Sequence, residues 1–130
     1  AIRNYATNDA TLVADDEFWR VFSDLEVRLN ALDLTVLRVL SAVSDGASPG
    51  DEASILKILA TEIAQDISEL ALQAQAELGL TRFGSDLPED IVSRAGAQAA
   101  TSYFYNRSQS IYGGSNEIQK NIIAKRVLGL

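Results

Sequence analysis

The chain has 130 residues, 47% of them apolar, with 11 basic and 18 acidic side chains and a net charge of −7. That length fits one domain with enough apolar material for a core, and the acidic balance argues against a nucleic-acid groove, which draws on clustered Lys and Arg. Cysteine and histidine are both absent, which excludes disulfides, thiolate metal sites, the commonest general base and a di-iron bundle built on Glu-x-x-His pairs.

The longest charge-free stretch, 95–106, has twelve residues, short of the roughly 20 a membrane helix needs. No signal peptide is visible, so a cytoplasmic setting is expected. The chain begins at Ala1 and contains no methionine, which reads as a fragment of a longer polypeptide.

Residues 1–14 show no sustained period and are expected to form an extended lead-in. A first helix is predicted over about 15–44. Phe18, Val21, Phe22, Leu25, Leu29, Leu32, Val36, Val39, Leu40 and Val43 recur there in steps of three and four, the spacing of one helical face. Asp15, Asp16 and Glu17 stand where negative charge favours a helix start. The segment 44–51, rich in Gly, Ser and Asp, ends it, and Ser48, Pro49 and Asp51 signal the next start. A second helix is predicted over 49–79 from Leu56, Leu59, Ile63, Ile67, Leu70, Ala74 and Leu78, with Gly79 as its stop. Each of these two helices should be roughly 40 Å long at about 1.5 Å per residue.

Breakers between Thr81 and Pro88 mark a loop. A third, alanine-rich helix is predicted over about 88–111 and a fourth over 115–128. Nothing alternates with a period of two over a useful length. Four helices with short connections predict an all-α, antiparallel up-and-down four-helix bundle.

The most informative segment runs from Ser110 to Leu130. Tyr112-Gly113-Gly114-Ser115-Asn116-Glu117 reads as a helix broken by two glycines and restarted by a polar cap. Glycine permits backbone angles that a side chain forbids and lets a ligand come close to the main chain. Ser115 or Asn116 can cap the new helix, whose free N–H groups and positive dipole end suit an anion. On these grounds alone the segment is either a tight helix–helix corner or an anion site.

Taken whole, 110–130 resembles the C-terminal signature of the acyl-CoA dehydrogenase family. The run 49–57, Pro-Gly-Asp-Glu-Ala-Ser-Ile-Leu-Lys, is similar to that family's entry to its second long bundle helix, and 76–79 to the exit from it. The resemblance implies a C-terminal helical bundle packed against an N-terminal helical domain and a middle β domain. FAD would lie between the β domain and this bundle, with neighbouring subunits completing its site. It further implies α,β-desaturation of an acyl-CoA thioester, flavin contacts at Ser115, Asn116 and Glu117, and a backbone contact of Gly114 with the thioester region. A contact of Gly79 with FAD across a subunit interface is implied too.

One position departs from the pattern. Many members carry their catalytic glutamate where this chain has Gly113, and glycine cannot act as a base. Other members keep glycine there and supply the carboxylate from an earlier helix, which is expected to precede Ala1. None of the 130 residues is therefore assigned as the base. Glu117, one turn further on, reads as a first-turn acid favoured by the dipole, and Tyr112 as a packing or lining residue. Three functions follow: part of a flavin-dependent dehydrogenase of fatty acid or lipid metabolism, a non-catalytic subunit of a heteromeric one, or a helical oligomerisation module without flavin. The isolated chain should be inactive.

Elsewhere the signals are structural. Glu62, Asp66, Glu69 and Glu77 share a face of the second helix in a line, which reads as a solvated face and not as a metal cage; no metal is expected. Lys120, Lys125 and Arg126 lie in the final helix, where cations suit its C-terminal end. Trp19 and Phe18 read as core or interface aromatics. Of three consecutive aromatics, Tyr103, Phe104 and Tyr105, at least one must point away from a single core.

Overall fold

A computed structural model describes residues 10–48, 50, 52–75 and 94–130. A single helical turn, Ala10–Val13, leads into α1 (Asp16–Ser44), and α2 (Glu52–Ala74), α3 (Arg94–Asn106) and α4 (Asn116–Arg126) follow, with a 3-10 turn at Arg107–Ser110. The described residues contain no strand, so the fold is an all-α helical bundle. None of their helices is long and apolar enough to cross a membrane. The predicted loop, Gly79 and Glu77 lie outside the described residues.

The 29 residues of α1 span roughly 44 Å. Asp15 caps the helix, its carboxylate accepting from the Phe18 amide at 3.0 Å. This satisfies one of the donors that a helix start leaves open. At the other end Asp45 N–H reaches Ser41 O, and Gly46, at φ +91°, turns the chain out of the helix.

α2 is the helix against which the others pack. Its contact with α1 centres on a cluster of Phe18, Leu25, Leu70 and Ala74, with Leu12, Trp19, Val21, Phe22 and Ile67 around it. Ion pairs extend this seam: Arg28 to Asp66 at 2.8 Å and Arg38 to Glu52 at 3.0 Å. Moving back along α1 means moving forward along α2, so these two helices run antiparallel. Both pairs are substantially exposed, and each contributes about 0–1 kcal/mol.

Only part of the α1 stripe is covered. Phe18, Leu25 and Val39 are buried, whereas Leu29, Leu40 and Val43 remain exposed, as do Val27, Leu34 and Leu37. Periodicity selects a face, but a helix buries only what its neighbours cover. Leu59 of the α2 stripe is likewise exposed, while Ile63, Leu70 and Ala74 are buried.

The helical geometry of α3 gives way at Arg107, short of the residue 111 that the sequence suggested. The cause lies in competing hydrogen bonds. Asn106 donates from Nδ2 to Ala64 O at 3.3 Å, and its own carbonyl accepts from Gln65 Nε2 at 3.2 Å. Ser108 and Ser110 hydroxyls donate back to Tyr105 O and Arg107 O. Side chains of this kind tighten or interrupt a helix by competing for its carbonyls. Arg107 stacks 4.3 Å from the Tyr103 ring centroid and pairs with Glu69 at 3.1 Å. Tyr103 is thus tied inward, while Phe104 and Tyr105 stand exposed.

Leu70 is only 3% exposed in the central cluster, so Leu70→Ala should destabilise the protein by about 2–5 kcal/mol. Urea denaturation followed by circular dichroism measures this. Ile118→Ala, at an exposed position, should stay within about 0.5 kcal/mol of the parent in the same experiment.

Candidate functional site

The corner between α3 and α4 is built from hydrogen bonds at short range and then from one long-range clamp. Ile111 and Tyr112 amides both donate to Ser108 O, at 3.0 and 3.1 Å. The chain then reverses through Gly113 at φ +67° and Gly114 at φ +87°. Both angles lie in the left-handed region that side chains disfavour. A Cβ on Gly113 would meet nothing within 4 Å, whereas one on Gly114 would stand 2.7 Å from Gln119 Nε2. Gly113 therefore faces open space and Gly114 lies under the Gln119 side chain.

Of the two possible caps, Ser115 is the one used: it has extended backbone angles and accepts from the Ile118 amide, at 3.4 Å. Asn116 is the first helical residue, and it is buried. Its Oδ1 accepts from Lys57 Nζ at 2.8 Å and from Thr61 Oγ1 at 3.3 Å. Thr61 Oγ1 also contacts Ile58 O at 2.8 Å. Lys57 and Thr61 stand one turn apart on α2, so a single face of that helix grips the start of α4.

Glu117 lies beside this clamp and is fully exposed. Its carboxyl is held below the ordinary carboxylate range, first by its own backbone N–H and then by the Ser115 hydroxyl, with Lys120 and Lys57 adding attraction. A carboxylate accepting local N–H and O–H bonds is stabilised in its charged form. Glu117 therefore stays ionised at neutral pH, the state that favours a first-turn acid.

The structure thus brings Gly113, Gly114, Ser115, Asn116 and Glu117 together on one short corner. Gly79 lies outside the described residues. Of the acidic line on α2, Asp66 pairs with Arg28 and Glu69 with Arg107. Among the described residues no group of three or more His, Cys, Asp or Glu is arranged to hold a metal ion. Lys57 and Thr61 were not singled out from sequence. Their i,i+4 spacing is visible there, but their partner lies more than fifty residues away.

The helical bundle agrees with what comparison with known proteins shows. The model of the acyl-CoA dehydrogenase C-terminal domain matches residues 1–128, and the chain belongs to that family. It is similar to the acyl-CoA dehydrogenase IpdE1 of Mycolicibacterium smegmatis, 37% identical over 89 residues, covering 68% of this chain and 20% of that protein. IpdE1 of Mycobacterium tuberculosis is 37% identical over 82 residues, covering 63% and 19%. The match therefore spans about a fifth of the length of these relatives. No solved structure matches the chain significantly.

Three outcomes test this geometry. Gly114→Ala should cost about 1–2 kcal/mol through its backbone angle and displace Gln119, read as a lower denaturation midpoint. For Glu117, NMR titration should give a midpoint below the ordinary value that rises toward it in Ser115→Ala. Because the folded value is the lowered one, Glu117 stabilises the fold above its unfolded value, and this is lost as pH falls through the lowered one. Glu117→Gln should remove that acid-side dependence.

Proposed function

We propose that this chain is the C-terminal bundle of an FAD-dependent acyl-CoA dehydrogenase that desaturates the α,β bond of an acyl-CoA thioester. The observation that carries this reading is the double-glycine corner with its capped helix start, in a chain of this family.

The corner offers FAD a donor for its phosphate or ring-carbonyl acceptors, the amide of Asn116, and an acceptor for its hydroxyl or N–H donors, the Glu117 carboxylate. Lysine can only donate, so the atom of Asn116 facing Lys57 is the oxygen. That leaves Asn116 Nδ2 as a donor, and among the described residues no partner engages it. A buried donor in that state calls for an acceptor. Ser115, Asn116 and Glu117 are the proposed flavin contacts, Gly79 a further one from across a subunit interface, and Gly114 a backbone contact to the thioester. When bound, FAD supplies the hydride acceptor of the reaction. The chain's own part is to position the cofactor and substrate and to keep the Gly113 side of the corner free of side-chain bulk.

The proton on the carbon next to the thioester carbonyl must pass to a carboxylate. Gly113 offers none, and no residue of this chain is assigned as the base; a carboxylate from an earlier helix or from a partner subunit would supply it, and a non-catalytic subunit would lack it. Glu117 is held ionised by its own amide and Ser115, an arrangement suited to capping and poorly matched to a base that needs a raised value. The exposed row Leu34, Leu37 and Leu40 on α1 supports assembly with further dehydrogenase subunits, alike or different, in a cytoplasmic enzyme of lipid metabolism. Gly113 also supports a second reading, a non-catalytic subunit of a heteromeric dehydrogenase.

The test is the visible spectrum of the intact protein, purified without added flavin, before and after anaerobic addition of acyl-CoA thioesters. A yellow protein that bleaches with a thioester establishes the dehydrogenase. A yellow protein that never bleaches favours the non-catalytic subunit, and a colourless one favours a helical module without flavin. Ser115→Trp should lower flavin occupancy severalfold, read as the absorbance ratio of flavin to protein.

A further inference from the structure

We infer that Lys57 and Thr61 are positioning residues for Asn116: they fix its carboxamide with the oxygen turned to α2 and the amide nitrogen kept as a hydrogen-bond donor for an acceptor on the flavin. The inference rests on the flavin reading above and adds to it two residues that the corner motif does not contain.

Three observations converge on it. The first is chemical: an ammonium group has no acceptor capacity, so its 2.8 Å contact with Asn116 Oδ1 admits one amide orientation. In the flipped orientation Lys57 would face an NH2 group, and both would be donors. Thr61 adds a second restraint at 3.3 Å. Its hydroxyl has a single proton, shared between Asn116 Oδ1 and the Ile58 carbonyl, so Lys57 is the stronger of the two restraints. The second observation is burial. Asn116 is 9% exposed, and no described residue engages its Nδ2.

The third observation concerns rigidity. α2 packs against α1, α3 and α4, so a group fixed to α2 is fixed to the centre of the bundle. The corner itself contains two glycines at positive φ, and Asn116 is the residue of α4 that is buried. Without the clamp Asn116 is free to rotate its amide, and part of the population presents an oxygen to an acceptor. A donor that must be oriented on binding lowers affinity, and pre-orientation removes that cost.

The experiment is a double-mutant cycle on the intact protein, read as the FAD dissociation constant of the apoprotein from flavin fluorescence. Lys57→Met and Asn116→Ala should each weaken FAD about tenfold, and the double variant should be no weaker than Asn116→Ala alone, because Lys57 acts only through Asn116. Asn116→Asp gives an independent check. It keeps an oxygen for Lys57 but deletes the donor, so FAD binding should weaken while the apoprotein melts no lower than the parent. If Lys57→Met does not fold, Thr61→Val with Asn116→Ala forms the same cycle, with a smaller single effect. Full additivity, or Lys57→Met binding FAD as the parent does while Asn116→Ala binds weakly, overturns the positioning role and leaves the flavin reading standing. If Asn116→Ala and Ser115→Trp both bind FAD like the parent, the flavin reading of this corner fails and takes the inference with it.

Discussion

The helix α2 has to satisfy three neighbours at once, and it does so with two kinds of face. Toward α1 it offers Ile67, Leu70 and Ala74, which bury with Phe18 and Leu25. Toward α3 and α4 it offers Lys57, Thr61 and Gln65, which bond to Asn116 and to the Asn106 carbonyl. The apolar contact is non-directional and scales with the area removed from water. The polar contacts are directional, and they fix where the next segments begin and end.

That division of labour explains the geometry of the corner. Asn106 ends the regular part of α3 because its side chain and carbonyl are both engaged by α2. Asn116 starts α4 at a fixed height because Lys57 holds it there. The segment between must cover the remaining gap, and two adjacent residues at positive φ let it do so without a bulky turn. The open side of Gly113 and the occupied side of Gly114 follow from the same reversal. A site made this way takes its shape from backbone and its donors from one buried amide and one helix end.

Much of this was legible in the residues. The steps of three and four from Phe18 to Val43 and from Leu56 to Ala74 gave two long helices, and Asp15 and Ser115 cap their helices as their types imply. The polar and glycine residues at 113–117 were recognisable as a corner because the signal is local. The exposure of Leu29, Leu40 and Val43 was not legible, since a stripe shows which face is apolar and not where a neighbour stops covering it. Nor was the early end of α3, which depends on carbonyls of another helix. Lys57 is an ordinary surface type at an ordinary helical position, and only the fold places it beside Asn116. A base could be ruled out at Gly113 from sequence alone, because the absence of a side chain is the one property no fold can alter.

The manner in which α4 is attached has a consequence for motion. Its one buried residue is Asn116, and Ile118, Val127 and Leu128 lie exposed. The helix is therefore docked by polar bonds at its first turn, with Ile122, Ile123 and Ala124 half-buried further along. Opening it would leave the central cluster covered, whereas separating α1 from α2 would expose it. Segments that bury little apolar area open locally at far lower cost than the global unfolding free energy. The bundle thus has a hairpin that holds the central cluster and a final helix outside it, so amide exchange in α4 would run ahead of the hairpin until a ligand closed the corner.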